Sequence, residues 1–228
     1  VLNAAGTLSP SFDILFDDKY GLLPQGNGLA VGDLNGDQKP DFILTRSTGM
    51  SDRVYWNRGG GVFESTDLPD SMGESQTPSV FDADNDGDLD IFIARHIDLE
   101  ATIPAALDAG ALRGDINHLY INDAGTFTVA PAVGIADAAS FQAAPFDADG
   151  DGDLDLFVVN DFGMFISPNQ MMLNDGSGNF TAATECGADV AMFGMGAAVS
   201  DANNDSIADI HVTDFGSPRL FLGSGEAL

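Results

Sequence analysis

The chain is poor in cysteine, in cations and in long apolar runs. Cys186 is the only cysteine in 228 residues, so no disulfide staples the chain, and no CxxC or His/Cys cluster offers a zinc or redox centre. It reads as a buried thiol. Eight Lys and Arg stand against 36 Asp and Glu, for a formal charge of −28 at pH 7. Scattered cations form no stripe that could follow phosphates, which argues against nucleic acid and anionic membrane as partners. No apolar run approaches the ~20 residues of a membrane span. The first residues, VLNAAGTLSP, lack the charged and apolar regions of a signal peptide, and the sequence reads as mature or trimmed. No nucleophile elbow, phosphate loop or His-Glu-His zinc motif occurs, so the expectation is a protein that is not an enzyme.

What is present is apolar substance and ordered acid. A hydrophobic fraction of 44% with 16 Phe is enough for a sizeable core and excludes a disordered acidic tail. The acid is concentrated in four nine-residue loops: DLNGDQKPD from 33, DADNDGDLD from 82, DADGDGDLD from 147 and DANNDSIAD from 201. Each places oxygen side chains at positions one, three, five and nine. Ca²⁺ takes six to eight oxygens at roughly 2.3–2.6 Å, so a loop that holds it must converge several carboxylates and a main-chain carbonyl on one point. The side-chain ligands expected are Asp33, Asn35, Asp37 and Asp41; Asp82, Asp84, Asp86 and Asp90; Asp147, Asp149, Asp151 and Asp155; and Asp201, Asn203, Asp205 and Asp209. The seventh-position carbonyls are those of Lys39, Asp88, Asp153 and Ile207, with the Asp88 side chain turned away. About four Ca²⁺ ions are expected, and their eight charges would still leave −20.

An EF-hand loop also begins this way but ends in a bidentate Glu at position twelve and lies between helices. Here position twelve is Leu44, Ile93, Val158 and Val212, and β-rich runs follow each loop. Asp, Asn and Gly also dominate ordinary turns. Four loops in one register, each crowding three or four carboxylates that repel one another without a cation, speak for metal instead.

The loops recur at 33, 82, 147 and 201, a period in the range of propeller blades. Each unit repeats an order: a small-residue strand before the loop (GLAVG, TPSVF, QAAPF, GAAVS), a second strand after it, a third with large side chains (RVYWN, HLYIN, QMMLN, RLFLG), then a Gly-rich turn into a fourth. The expected fold is all-β, a β-propeller of four-stranded antiparallel blades in one domain over 1–228. Blades are placed at about 28–66, 77–130, 142–183 and 196–228. Since the last unit stops as its fourth strand should begin, residues 10–16 are a candidate closing strand.

The loops and the NDGSGNF-type turns resemble FG-GAP or VCBS repeats, the calcium-binding blades of integrin α-subunit-like propellers. More narrowly, NDFGMFISPNQMMLNDGSGNFTAA and FGMGAAVSDANNDSIADIHVTDFGSPRLFLG are similar to repeats of cartilage acidic protein-like secreted proteins. The resemblance covers most of the chain and implies calcium at the positions named, an extracellular setting, adhesive or recognition roles and a ring of about seven blades. Gln38 and Lys39 replace the glycine-rich turn of the first loop, and Ser206 replaces the glycine of the fourth, so these two sites are expected to be weaker. Extracellular calcium near millimolar suits such sites.

Loops between first and second strands share one face of the disc. The second-to-third connections emerge on the other, where the insert over 96–118 and DFGMFISPN mark the expected ligand face. Within the insert, ATIPAALDAGAL over 101–112 reads as a short helix. The expected function is a calcium-binding extracellular module that recognises protein or glycan; the alternatives are a structural subunit of a homo-oligomer or filament, or a non-catalytic accessory domain of a larger secreted protein. His96, Asp98, Glu100, Arg113, Asp115 and His118 form a second polar group whose plain reading is caps and strand ends. The RGD tripeptide at 113–115 reads as a chance match. Met164, Met171, Met172, Met192 and Met195 read mainly as core, with Met171 and Met172 on opposite faces of a strand.

Overall fold

The computed structural model describes residues 28–46, 49–97, 113–184 and 186–225. The candidate closing strand over 10–16 and the helix expected over 101–112 lie outside them. No helix occurs among the described residues, which carry fifteen strands in four antiparallel sheets. The first sheet holds β1 (Leu29–Gly32), β2 (Asp41–Leu44), β3 (Arg53–Asn57) and β4 (Phe63–Asp67). The second holds β5 (Ser75–Phe81), β6 (Asp90–Arg95), β7 (His118–Asp123) and β8 (Thr126–Val129). The third holds β9 (Ala139–Phe146), β10 (Asp155–Asp161), β11 (Gln170–Asn174) and β12 (Phe180–Ala182), and the fourth β13 (Gly194–Ser200), β14 (Asp209–Asp214) and β15 (Arg219–Phe221). In every sheet the strands pair in chain order. These sheets are the blades of a β-propeller.

The second and third blades each lie between two others, and the side-chain period of two divides their residues between the two seams. In β6, Ile91 and Ile93 face the first blade, where they meet Ile43, Val54 and Trp56. Phe92 and Ala94 face the third, against Leu156, Val158 and Met172. In β10 the alternation repeats: Phe157 and Val159 join Met171, Ile210 and Val212 at the third seam. β6 and β10 are therefore buried from end to end and read as unbroken apolar runs. Met171 and Met172 do lie on opposite faces, and both are buried because both faces are covered.

Three first strands begin two or three residues earlier than their apolar patterns indicate. A register irregularity separates Ser75 from Pro78, another sits opposite Val159/Asn160 between Ser140 and Gln142, and a third separates Gly194 from Gly196. Each is a bulge that shifts the alternation by one, so a period-two reading stops at it.

At the end of the sheets away from the Asp loops, an Asx residue before the third strand holds the end of the second. Asp52, Asn117 and Asn169 accept the amides of Arg46, Arg95 and Asn160 on Oδ1 at 2.7, 2.8 and 2.9 Å. The other side-chain atom reaches the next blade: Ser75 Oγ donates to Asp52 Oδ2 at 2.7 Å, and Asn117 Nδ2 donates to Ser140 Oγ at 3.0 Å. Gly194 stands in the corresponding register at the third seam, where an added Cβ would lie 2.6 Å from Val159 Cγ1. No serine fits, and Asn169 Nδ2 has no partner among the described residues.

Burial pushes the Asp52 carboxyl from 3.8 up to about 6, against the hydrogen bonds of Ser75 and the Arg46 amide and the fields of Arg95 and Arg46, which lower it. A carboxyl raised in the folded state contributes stability that is complete below pH 3.8 and is lost as pH rises through about 6. In chelator, Asp52→Asn should keep the latch and remove this loss, recovering up to ~3 kcal/mol at pH 7 relative to pH 4. Denaturant melts of both proteins at the two pH values measure it; identical pH slopes would show that Asp52 titrates as it does in the unfolded chain.

Candidate metal centre

The four loops share one backbone. Position four has positive φ in Gly36, Asn85, Gly150 and Asn204, and position six has it in Gln38, Gly87, Gly152 and Ser206, at 63°, 95°, 98° and 71°. Glycine takes this conformation without cost, whereas Gln38 and Ser206 take it at roughly 1 kcal/mol each. Two hydrogen bonds recur in all four. The position-six amide donates to Oδ2 of position one, at 2.7, 3.0, 3.2 and 2.9 Å in Asp33, Asp82, Asp147 and Asp201. The position-seven amides of Lys39, Asp88, Asp153 and Ile207 donate to Oδ1 of Asp37, Asp86, Asp151 and Asp205. The loop thus curls around the side chains of positions one and five.

In the second loop Asp82, Asp84 and Asp86 can bring one carboxylate oxygen each within 4.8 Å of the others, and in the third loop Asp147, Asp149 and Asp151 do the same. Asp82 Oδ1 and Asp84 Oδ1 are buried with no hydrogen-bond donor among the described residues. Burial raises the Asp84 carboxyl, and the neighbouring charges of Asp86 and Asp82 raise it further. Orphaned, converging and purely oxygen, this donor set fits a hard cation such as Ca²⁺ and lacks the imidazole nitrogen and thiolate sulfur that zinc and copper favour. The Asp88 side chain is turned outward, its Oδ2 accepting the Ala124 amide at 2.8 Å. Asp153 Oδ1 accepts from Asn85 Nδ2 at 2.7 Å, joining the second and third loops.

The outer loops differ at position five. Lys39 Nζ donates to Asp37 Oδ2 at 2.9 Å, and Asn203 Nδ2 donates to Asp205 Oδ2 at 2.8 Å. With Asn35 and Asn203 at position three, each outer loop also has one carboxylate fewer.

Position nine has a further role. Asp41, Asp90, Asp155 and Asp209 are buried, and both oxygens of each accept backbone amides. Oδ2 takes position two of its own loop, at Leu34, Ala83, Ala148 and Ala202. Oδ1 takes the end of the third strand at Asn57, Asn122 and Asn174, and in the fourth blade Gly223, two residues past the strand. Asn122 and Asn174 in turn donate to Leu34 O and Ala83 O of the preceding loop, both at 2.8 Å. Asparagine at the end of the third strand lies outside the 1-3-5-9 pattern; its recurrence in YWN, YIN and MLN is the signal available in the sequence.

On the opposite face the insert's polar residues do not converge. His96 Nε2 lies 3.4 Å from Asp161 Oδ2, His118 Nδ1 3.0 Å from the Tyr120 hydroxyl, and Arg113 2.7 Å from Asp137. Asp115 faces Arg95, so both charged residues of the RGD tripeptide face partners within the chain. Asp98 and Glu100 lie outside the described residues.

Two substitutions separate the roles of the second loop. Asp90→Ala strands two buried amides at ~1–3 kcal/mol each and should destabilise the protein by about 3 kcal/mol already in chelator, in addition to any calcium-dependent loss. Asp86→Ala, at an exposed position, should be nearly silent in chelator and lose only the calcium-induced rise in Tm; equal behaviour of the two variants would contradict this division. At the first loop, Lys39→Ala should tighten calcium about two- to five-fold, the worth of an exposed ion pair, as read by calorimetric titration.

The FG-GAP-like repeat model matches residues 33–93 and 147–212, each span holding two loops and the strands that follow them. No curated protein matches the chain. Among solved structures it is similar to an Agrocybe aegerita lectin described as specifically recognising non-reducing terminal N-acetylglucosamine, at 18% identity over 86% of this chain and 48% of that one, with a TM-score of 0.49. It is also similar to a candidate exo-beta-1,3-galactanase from Bifidobacterium bifidum s17, at 10% identity over 86% of this chain and 65% of that one, TM-score 0.46. The chain spans about half of the first and under two thirds of the second. With both pairs of loops inside the matched spans, the chain belongs to the FG-GAP-like repeat family.

Proposed function

We propose that the chain is a calcium-dependent recognition module that works outside the cell, binding protein or glycan on the face away from its Asp loops. The observation that carries the calcium reading is the pair of buried, undonated oxygens on Asp82 and Asp84 within a three-carboxylate convergence. The second and third loops are the stronger sites, with Asp82, Asp84, Asp86, Asp147, Asp149 and Asp151 as side-chain ligands and the carbonyls of Asp88 and Asp153 completing them. Asp90 and Asp155 keep a second lone pair on each oxygen for the ion while holding the blade. The first and fourth loops are weaker sites. Weak sites fill only where calcium is near millimolar, which favours an extracellular setting.

Recognition is supported by an aromatic rim on the other face. Phe165 and Phe215 are 69% and 87% exposed, and Met164 is 71% exposed beside them. They are not loose. Phe165 and Phe162 each pack on Phe193 at ring-centroid distances of 6.2 and 6.0 Å, and Phe162 rests on His96, which stacks on Phe141 at 4.4 Å. The Phe215 amide is held by Phe193 O. The exposed Phe165 ring rests on a half-buried stack and Phe215 is tethered beside it through its backbone, which gives a large contact area at low entropic cost, the usual makings of a binding surface.

A site filled to a hundred times its Kd adds ~2.7 kcal/mol, and in a chain of this size each kcal/mol moves Tm by about 2–4 °C. Saturating calcium should therefore raise Tm by about 5 °C or more over chelator, and an unchanged Tm would remove the metal reading. A glycan array probed with the calcium-loaded protein and with Phe165→Ala/Phe215→Ala tests the surface: binding that the double variant keeps would place recognition elsewhere.

A further inference from the structure

The first blade is apolar on both sides of its sheet. Ile43, Val54 and Trp56 are buried toward the second blade. The alternate positions carry Leu29, Val31, Phe42, Leu44, Tyr55 and Phe63 to the other side, where Leu29 is 55% and Val31 59% exposed. There Phe42 stacks on Tyr55 at a centroid distance of 4.6 Å and meets Phe63 edge-on at 5.2 Å. An antiparallel sheet with one face in water alternates apolar with polar residues, and this one does not. Strand register identifies the kind of surface. Val31 pairs with Phe42, Phe42 with Tyr55, and Phe63 lies opposite Asn57. In the second blade Val80 pairs with Ile91, Ile91 with Tyr120, and Phe127 lies opposite Asn122. Val80, Ile91, Tyr120 and Phe127 are what the second blade packs against the first. The free face of the first blade thus repeats, position by position, a face that this fold uses to join blades.

Such a face is met at the first seam by Ile43, Val54 and Trp56. The same register positions in the fourth blade are His211, Leu220 and Leu222, with His211 opposite Leu220 as Ile43 is opposite Val54. They point away from the third blade, because Ile210, Val212 and Phe221 point toward it. Leu220 and Leu222 are 53% and 58% exposed. With Leu29, Val31, Leu220 and Leu222 all more than half exposed, the two free faces do not cover each other within one chain. Charge also favours the first blade as the meeting point. Lys39, Arg46, Arg53 and Arg58, four of the eight Lys and Arg, belong to it, which lowers the repulsion that a charge of −28 sets against self-association. We propose that the free face of the first blade binds the free face of the fourth blade of a second copy, joining chains head to tail. His211, Leu220 and Leu222 of one chain then lie against Val31, Phe42 and Tyr55 of the next. A head-to-tail contact closes into a ring where its rotation allows and otherwise runs on as a row of subunits. This joint stands without the recognition proposed above, and either can fail without the other.

The test is sedimentation velocity of the calcium-loaded chain from about 1 to 100 μM, a range that spans moderate to weak association. The mass should rise with concentration to at least twice that of one chain. Val31→Lys and Leu220→Lys each alter one free face at an exposed position and should leave Tm unchanged. Each should weaken association at least about tenfold, even though an added cation lowers the repulsion between chains. An equimolar mixture of the two should regain a dimer, through the intact first blade of one and the intact fourth blade of the other. A monomer at every concentration overturns the proposal and leaves the face to another occupant, residues 1–27 or a different protein. Association that survives either substitution also overturns it, and survival in Leu220→Lys alone would mean that first blades pair with each other. A mixture that stays monomeric shows that the two faces do not meet. If one variant does not fold, the wild-type mass and the other variant decide.

Discussion

The burial of four aspartates in a chain of charge −28 is the constraint on which the rest of this structure hangs. A buried carboxylate is tolerable only when its oxygens are met, and Asp41, Asp90, Asp155 and Asp209 each meet two backbone amides that no strand ladder supplies. One amide belongs to the start of the same loop and the other to the end of the third strand. Loop, second strand and third strand are thereby locked into one relation in every blade. Asn122 and Asn174 then carry that relation across the seam to the preceding loop. The cluster that could hold an ion and the joint that sets the blade are the same nine residues.

The two ends of the blades consequently do different work. At the loop end the backbone is repeated almost without change, down to the left-handed residues at positions four and six. At the other end the Asx latches are repeated, but what lies between them varies: a guanidinium facing Asp115 at the first seam, a His96–Asp161 pair beneath aromatic rings farther round. Variation confined to connections on a rigid frame is how a repeat scaffold acquires a binding face.

The Asp spacing made the loops and their direction legible from sequence, because a 1-3-5-9 pattern of oxygens has few other uses. The apolar runs of β6 and β10 announced strands covered on both faces. First-strand boundaries were misplaced by the bulges, since one extra residue reverses the alternation from which a strand is read. The paired faces of Met171 and Met172 followed from strand geometry; that both are buried depended on a neighbour on each side.

Composition and spacing by themselves determined the fold class, the repeat and the residue types gathered at each loop, because these depend on contacts within a few tens of residues. Only the tertiary structure decided that position nine is a buried joint, that Lys39 and Asn203 occupy the fifth-position carboxylates of the outer loops, and that the RGD charges are already paired. Each depends on which oxygen and nitrogen the folded loop, strand or blade brings together or leaves apart, and hydrogen-bonding capacity read along a chain does not say where it is spent.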